Sequence, residues 1–162
     1  MQVVFVGPVG AGKTCLVQKI AYGETLNSLS TTAACCYRCD DLPETLLYDT
    51  PGDDRFSWAY DGIMRRADIL VYCVPPGEAH SRNYFELNPN AQVLKVHTKA
   101  DTTQLRHRET DNFDTSVISG EGVNTLKDRL RSERERRILL PGSFERAQQA
   151  ARLKPRKART CF

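Results

Sequence analysis

The residues whose types and spacing could do chemistry begin at position 7, where the chain reads GPVGAGKT. This is the G-x-x-x-x-G-K-[ST] pattern of a phosphate-binding loop between a strand and a helix. Glycines permit backbone conformations and a closeness of approach that a Cβ would block. The loop N–H groups and the helix N-terminus then surround phosphate oxygens. Gly7, Val9, Gly10, Ala11, Gly12, Lys13, Thr14 and Cys15 are therefore candidate phosphate contacts. Lys13 would reach the β- and γ-phosphates, and the Thr14 hydroxyl is a candidate Mg²⁺ ligand. A glycine-rich turn that binds nothing is the competing reading. The apolar VVFV before the loop and the helix-like spacing of CLVQKIAYG after it weigh against that.

Three later segments extend the constellation. In LLYDTPGDDRF, Asp49 ends an apolar run and suits a carboxylate that holds a Mg²⁺ water, while Gly52 could offer its N–H to a γ-phosphate. In VLKVHTKAD, residues 98–101 fall at the C-terminal end of a β-rich run, where open α/β sheets bind ligands. The Asp101 carboxylate can accept from the N1–H and N2–H₂ edge of guanine. Adenine would oppose it with a lone pair, and an opposed buried polar group costs about 1–3 kcal/mol. Thr98 and Lys99 flank this position, and the Lys99 stem could cover the face of the base. In FDTSV, the backbone N–H groups of Ser116 and Val117 could meet the guanine O6. Each of these tetrapeptides is weak alone and informative in this order.

The elements that must position them follow a βα alternation, the pattern of an α/β protein with a mostly parallel sheet of about six strands and helices on both faces. The spacing predicts strands over 2–7, 69–74, 91–97 and 114–118, and a hairpin-like pair over 33–39 and 45–49. It predicts helices over 13–22, 56–66 and 122–138. The crossover stretch 75–90 is broken by Pro and Gly, and only SRNYFEL could supply a helix there; 102–113 is similarly brief. Residues 1–140 form the predicted domain, with shortened crossovers. Residues 141–162 read as a short helix with Ser143 as its N-cap, followed by a basic, flexible tail.

GPVGAGKT, DTPG, TKAD and TSV, each ending a predicted strand, make the chain resemble the small P-loop GTPases of the Ras/Rab and bacterial Era-like classes over residues 2–138. LLYDTPGDDRF and RRADILVYCV are similar to Rab-type and MglA-like sequences, and FVGPVGAGKT to the GTPase-like proteins (EutP-like) of bacterial ethanolamine and propanediol utilisation. The resemblance implies binding of GTP and GDP with Mg²⁺, hydrolysis of GTP to GDP (expected to be slow here because of Asp53), and a switch read by a protein effector or regulator. Thr14, Asp49 and a threonine closing over the metal would form the Mg²⁺ site. Thr32 suits the Ras-like spacing from Thr14, and Thr31 is the alternative. Lys13, Thr32 and Asp53 are the candidate catalytic residues. Asp53 stands where Ras-like proteins carry a water-orienting Gln, and an ionised carboxylate is repelled by a γ-phosphate. Val9 occupies a position that is Gly or small in Ras-like members, crowding the place an arginine finger would use. No aromatic residue stands at the base-stacking position, Tyr22 being a distant candidate, and Thr98 replaces the commoner Asn. The competing classes are a non-hydrolysing pseudo-GTPase that recruits partners, and an ATP-using phosphotransferase, against which TKAD argues.

Composition sets the surroundings. The 162 residues are 40% hydrophobic and 27% charged, an ordinary balance with room for one core. The net charge of +3 divides into +8 from position 127 onward (12 Lys/Arg, 4 Asp/Glu) and −5 before it (11 against 16). A basic tail of this kind could touch an anionic membrane surface; no specific nucleic-acid partner is expected. The early strand leaves no room for a cleaved leader, and the six scattered cysteines read as reduced, mostly buried thiols of a cytoplasmic protein. Cys35, Cys36 and Cys39 lack a second pair at zinc-site spacing, Cys161 is not in a prenylation box, and the three histidines have no triad partners. RLRSERERR reads as a solvated helix face.

Overall fold

The computed structural model describes residues 1–26, 30–77, 86, 88–104, 106–107 and 111–139. Six strands form one sheet: β1 (Gln2–Val6), β2 (Cys35–Arg38), β3 (Leu46–Asp49), β4 (Ile69–Val74), β5 (Gln92–His97) and β6 (Asn112–Asp114). Their order is β2-β3-β1-β4-β5-β6, with every pair parallel except β2 against β3. The chain leaves β1 for one side of the sheet and returns from β3 to the other. The loop after β1 therefore lies at the point where strand order reverses, the crevice in which open α/β sheets take ligands.

Period-two alternation sends β1 to both faces. Val3 and Phe5 pack with Leu16, Val17 and Ile20 of α1 (Lys13–Tyr22) and with Val123, Leu126 and Leu130 of α3 (Val123–Leu139). Val4 and Val6 pack on the opposite face with Tyr60 and with Met64 of α2 (Asp61–Met64). All six residues of β4 are buried, as a strand covered on both faces requires. Full burial of each Val, Leu or Ile there contributes about 1.5–3 kcal/mol. The expected doubly wound α/β sheet with helices on both faces is what the chain forms.

Some elements differ from expectation. The helix predicted over 56–66 is a 3₁₀ turn, Asp54–Ala59, then the four-residue α2, because Tyr60 at φ −128° leaves helical geometry. The strand predicted over 114–118 lies earlier, at Asn112–Asp114. Past it, Ser116 N–H donates to the Glu121 carbonyl (3.0 Å) and Gly120 N–H to the Ser116 carbonyl (2.9 Å), closing a turn. RLRSERERR is not wholly solvated. Glu133 is buried, and Arg136 (2.7 Å), Arg129 (2.9 Å) and Gln92 (3.2 Å) hold its carboxylate. Cys39 and Cys73 are buried, with burial pushing the Cys73 thiol up to about 12, but Cys35 and Cys36 are exposed on the edge strand β2. The SRNYFEL segment and the 141–162 tail with Ser143 and Cys161 lie outside the described residues, apart from Glu86.

Candidate functional site

A cleft of about 600 Å³ opens at the C-terminal ends of the parallel strands. Gly10 (φ 76°) and Gly12 (φ 78°) take left-handed conformations that side-chain-bearing residues adopt at a cost, and no atom lies within 4 Å of where a Cβ would stand on either. The loop is thus shaped around open space. Gly12 is the N-cap of α1 and no side chain caps the helix, whose N-terminal end, the end that favours anions, opens on the cleft. Gly7 and Ala11 are buried beneath the loop, and Cys15 and the 60%-exposed Val9 line the cleft. Lys13, 6% exposed, turns its ammonium back onto the Gly7 carbonyl (2.9 Å) and the Pro8 carbonyl (2.7 Å). That holds the charge beneath the loop it would serve.

The end of β3 meets this loop. Thr50, fully buried, donates its hydroxyl to the Phe5 carbonyl (2.7 Å) and ties β3 to β1. A Cβ on Gly52 would lie 2.5 Å from Pro8 C and Val9 N, so glycine is what permits the two segments to touch. Asp49 is fully buried and accepts from the Thr14 hydroxyl at 2.6 Å and from the Thr31 hydroxyl at 3.2 Å; the two hydroxyls lie 2.9 Å apart. Here the structure departs from the spacing argument. Thr31 reaches the Thr14–Asp49 pair, whereas Thr32 is exposed on the cleft wall.

Burial raises the Asp49 carboxyl above its ordinary range, although the Thr14 hydroxyl and the Lys13 charge favour its ionised form. Its Oδ1 is buried with no hydrogen-bond partner among the described residues. A bare buried carboxylate oxygen beside a hydroxyl fits a hard cation such as Mg²⁺, or its water. Among the described residues no cluster of three His, Cys, Asp or Glu could cage a metal.

Asp53 faces a different neighbour. Its carboxylate accepts from Arg55 Nη2 (2.6 Å), from Arg55 Nε (3.0 and 3.1 Å) and from the Arg55 backbone N–H (2.9 Å). These hydrogen bonds hold it well below the usual carboxylate range, at about 2. Both residues line the cleft, with Phe56, Ser30 and Thr50. Sequence reasoning missed Arg55; the signal was an opposite charge two residues past the aspartate in a turn.

At the other end, Lys99 adopts a left-handed φ of 56° and lines the cleft, while Thr98 is buried with its N–H on the Val74 carbonyl (3.0 Å). Asp101 is exposed beside it, and Ala100 N–H donates to the Thr115 carbonyl (3.0 Å), joining this loop to the one after β6. Ser116 is buried and its N–H is taken by Glu121, leaving the half-buried Val117 N–H with no partner among the described residues. Asp101, Thr98, Ser116 and Val117 do not line the cleft itself. Tyr22 stands at the far end of α1, edge-on to Tyr37 with centroids 6.0 Å apart, remote from this loop.

The structure is similar to a bacterial selenocysteine-specific elongation factor, EF-Sec, with a TM-score of 0.67 at 19% identity. The match covers 82% of this chain and 28% of that one, so the chain spans under a third of that protein's length. No family model and no curated protein matches. The likeness is one of fold, and with the sheet and loop above the chain has the α/β P-loop NTPase fold.

Proposed function

We propose that this chain binds GTP and GDP with Mg²⁺ and works as a nucleotide-dependent switch with slow GTP hydrolysis. The observation that carries this reading is the Thr14–Asp49–Thr31 cluster, with its bare Asp49 Oδ1, set against an open glycine-lined loop. Lys13 would exchange the Gly7 and Pro8 carbonyls for phosphate oxygens, and the loop N–H groups with that of Gly52 would take the rest. Thr14 and Asp49 would hold Mg²⁺, with Thr31 nearer than Thr32. Bound there, the metal would neutralise charge on the phosphate oxygens. Asp101, with Lys99 and the Val117 N–H, supports guanine as the base. A protein effector or regulator would read the nucleotide state, and the basic tail beyond residue 140 would favour an anionic membrane surface.

Slow turnover follows from Asp53. A carboxyl held at about 2 and saturated by Arg55 is a weak base and cannot donate to a water. The same observation favours the second reading, a nucleotide-binding module that does not hydrolyse.

Displacement of a fluorescent GDP by GDP, GTP, ADP and ATP, with single-turnover phosphate release, tests this. Guanine nucleotides should win by about 10²–10⁴, with release at or below about 10⁻⁴ s⁻¹. Equal competition by ATP would remove the guanine assignment. Tight GTP binding without phosphate release would favour the second reading.

A further inference from the structure

The position of Asp53 is fixed by its neighbour. Gly52 sits so close to the phosphate loop that even a Cβ would meet Pro8 C and Val9 N at 2.5 Å. Successive α-carbons are about 3.8 Å apart, so the Asp53 charge stays at the phosphate end of the cleft. A carboxylate there opposes a terminal phosphate, which carries up to two negative charges near neutral pH. Unanswered, it would turn the site toward a diphosphate.

It is not unanswered. The Arg55 guanidinium meets both carboxylate oxygens, at 2.6 Å through Nη2 and at 3.0 and 3.1 Å through Nε, and the Arg55 N–H adds a contact at 2.9 Å. The pair closes within three residues of chain, where Asp53 caps the 3₁₀ turn. It therefore travels with the segment instead of depending on distant packing. Arg55 is 83% exposed, and besides Asp53 its guanidinium lies 5.9 Å from the centre of the neighbouring Phe56 ring.

We propose that Arg55 sets the preference of this site for a nucleoside triphosphate over a diphosphate by cancelling the charge of Asp53. The pair is a neutral gate at the γ-phosphate position. This rests on the nucleotide reading above and adds to it the residue that decides which phosphorylation state is tolerated.

The test measures the affinity ratio of guanylyl imidodiphosphate to GDP, both with Mg²⁺, on the full chain. Arg55→Gln exposes the Asp53 charge and should lower the ratio about threefold to tenfold, with GDP affinity unchanged as a control for folding. Arg55→Lys keeps the charge and should hold the ratio within about twofold. Asp53→Asn should raise it, and Asp53→Asn with Arg55→Gln should return it to within about twofold of the parent. The Arg55→Gln deficit should shrink as salt rises from about 0.05 to 0.5 M, because charges at this distance are then screened.

A double variant as weak as Arg55→Gln alone overturns the gate, since Arg55 would then touch the phosphate directly. An unchanged ratio in Arg55→Gln, or equal losses for both nucleotides, overturns it as well. A parent chain that takes up neither nucleotide overturns the nucleotide reading itself, and the gate with it.

Discussion

Asp49 and Asp53 are the same side chain, on either side of Gly52, and their surroundings send them in opposite directions. Asp49 is fully buried, its carboxyl is raised by burial, and one oxygen has no hydrogen-bond partner among the described residues. Asp53 lies at the cleft wall, and Arg55 brings its carboxyl down to about 2. One carboxylate has an unmet electrostatic demand and the other is already answered. Any affinity of this cleft for a cation would come from burial without a partner, so counting its carboxylates would mislead.

Gly52 holds these two environments apart, and breaking it should have the largest effect. In Gly52→Ala the new methyl meets backbone atoms of Pro8 and Val9 at 2.5–2.6 Å, which no side-chain rotation relieves. Overpacking of this kind costs about 1–3 kcal/mol, and here it pushes the phosphate loop away from β3. GDP affinity should fall by about 100-fold or more, measured alongside a thermal melt. Affinity within a few-fold of the parent would mean that the loop and β3 are not rigidly coupled.

Asp49→Asn should have a smaller effect, with two signs. Removing a buried charge should raise the melting temperature of the metal-free chain by about 2–4 °C, roughly 1 kcal/mol for a protein of this size. Nucleotide affinity with Mg²⁺ should fall about 10–100-fold, and affinity in a chelator should stay unchanged. Equal losses with and without Mg²⁺ would show that Asp49 acts on the loop and not on a cation.

The sequence made the buried half of this comparison far more legible than the exposed half. Phosphate-loop spacing and continuous apolar runs make Gly7–Thr14 and strands β1 and β4 legible, because burial and glycine geometry leave few alternatives. The spacing from Thr14 points to Thr32, with Thr31 the alternative, and the hydroxyl on the cluster is that of Thr31. The segment predicted as one helix over 56–66 splits at Tyr60, because the helical spacing of Phe56, Tyr60 and Met64 carries no sign of the break in backbone geometry there. Ser116 looked free to meet a ligand until the turn to Glu121 claimed its N–H. Local hydrogen bonds of this kind leave no periodic trace in a sequence.

The smallest effect is a titration, and it separates the two aspartates by sign. Asp53 is lowered in the folded chain by its Arg55 hydrogen bonds, so the folded state binds the proton less readily than the unfolded state. Its contribution to stability is present above the unfolded value of about 3.9 and is lost as pH falls through about 2. Asp49, raised by burial in the metal-free chain, binds its proton more readily when folded and gains stability earlier in the descent, as pH falls from its raised folded value to the unfolded value of about 3.9. Carboxyl-carbon NMR should follow Asp53 to a midpoint of about 2 in the parent, and Arg55→Gln should return that midpoint toward about 3.9. Because the pair is solvent-exposed, the melting temperature should change by no more than about 1–2 °C. A midpoint that stays near its low value in Arg55→Gln would assign the shift to the backbone N–H of residue 55. Asp53 would then owe its state to the turn, and the contrast with Asp49 would lie in backbone geometry alone.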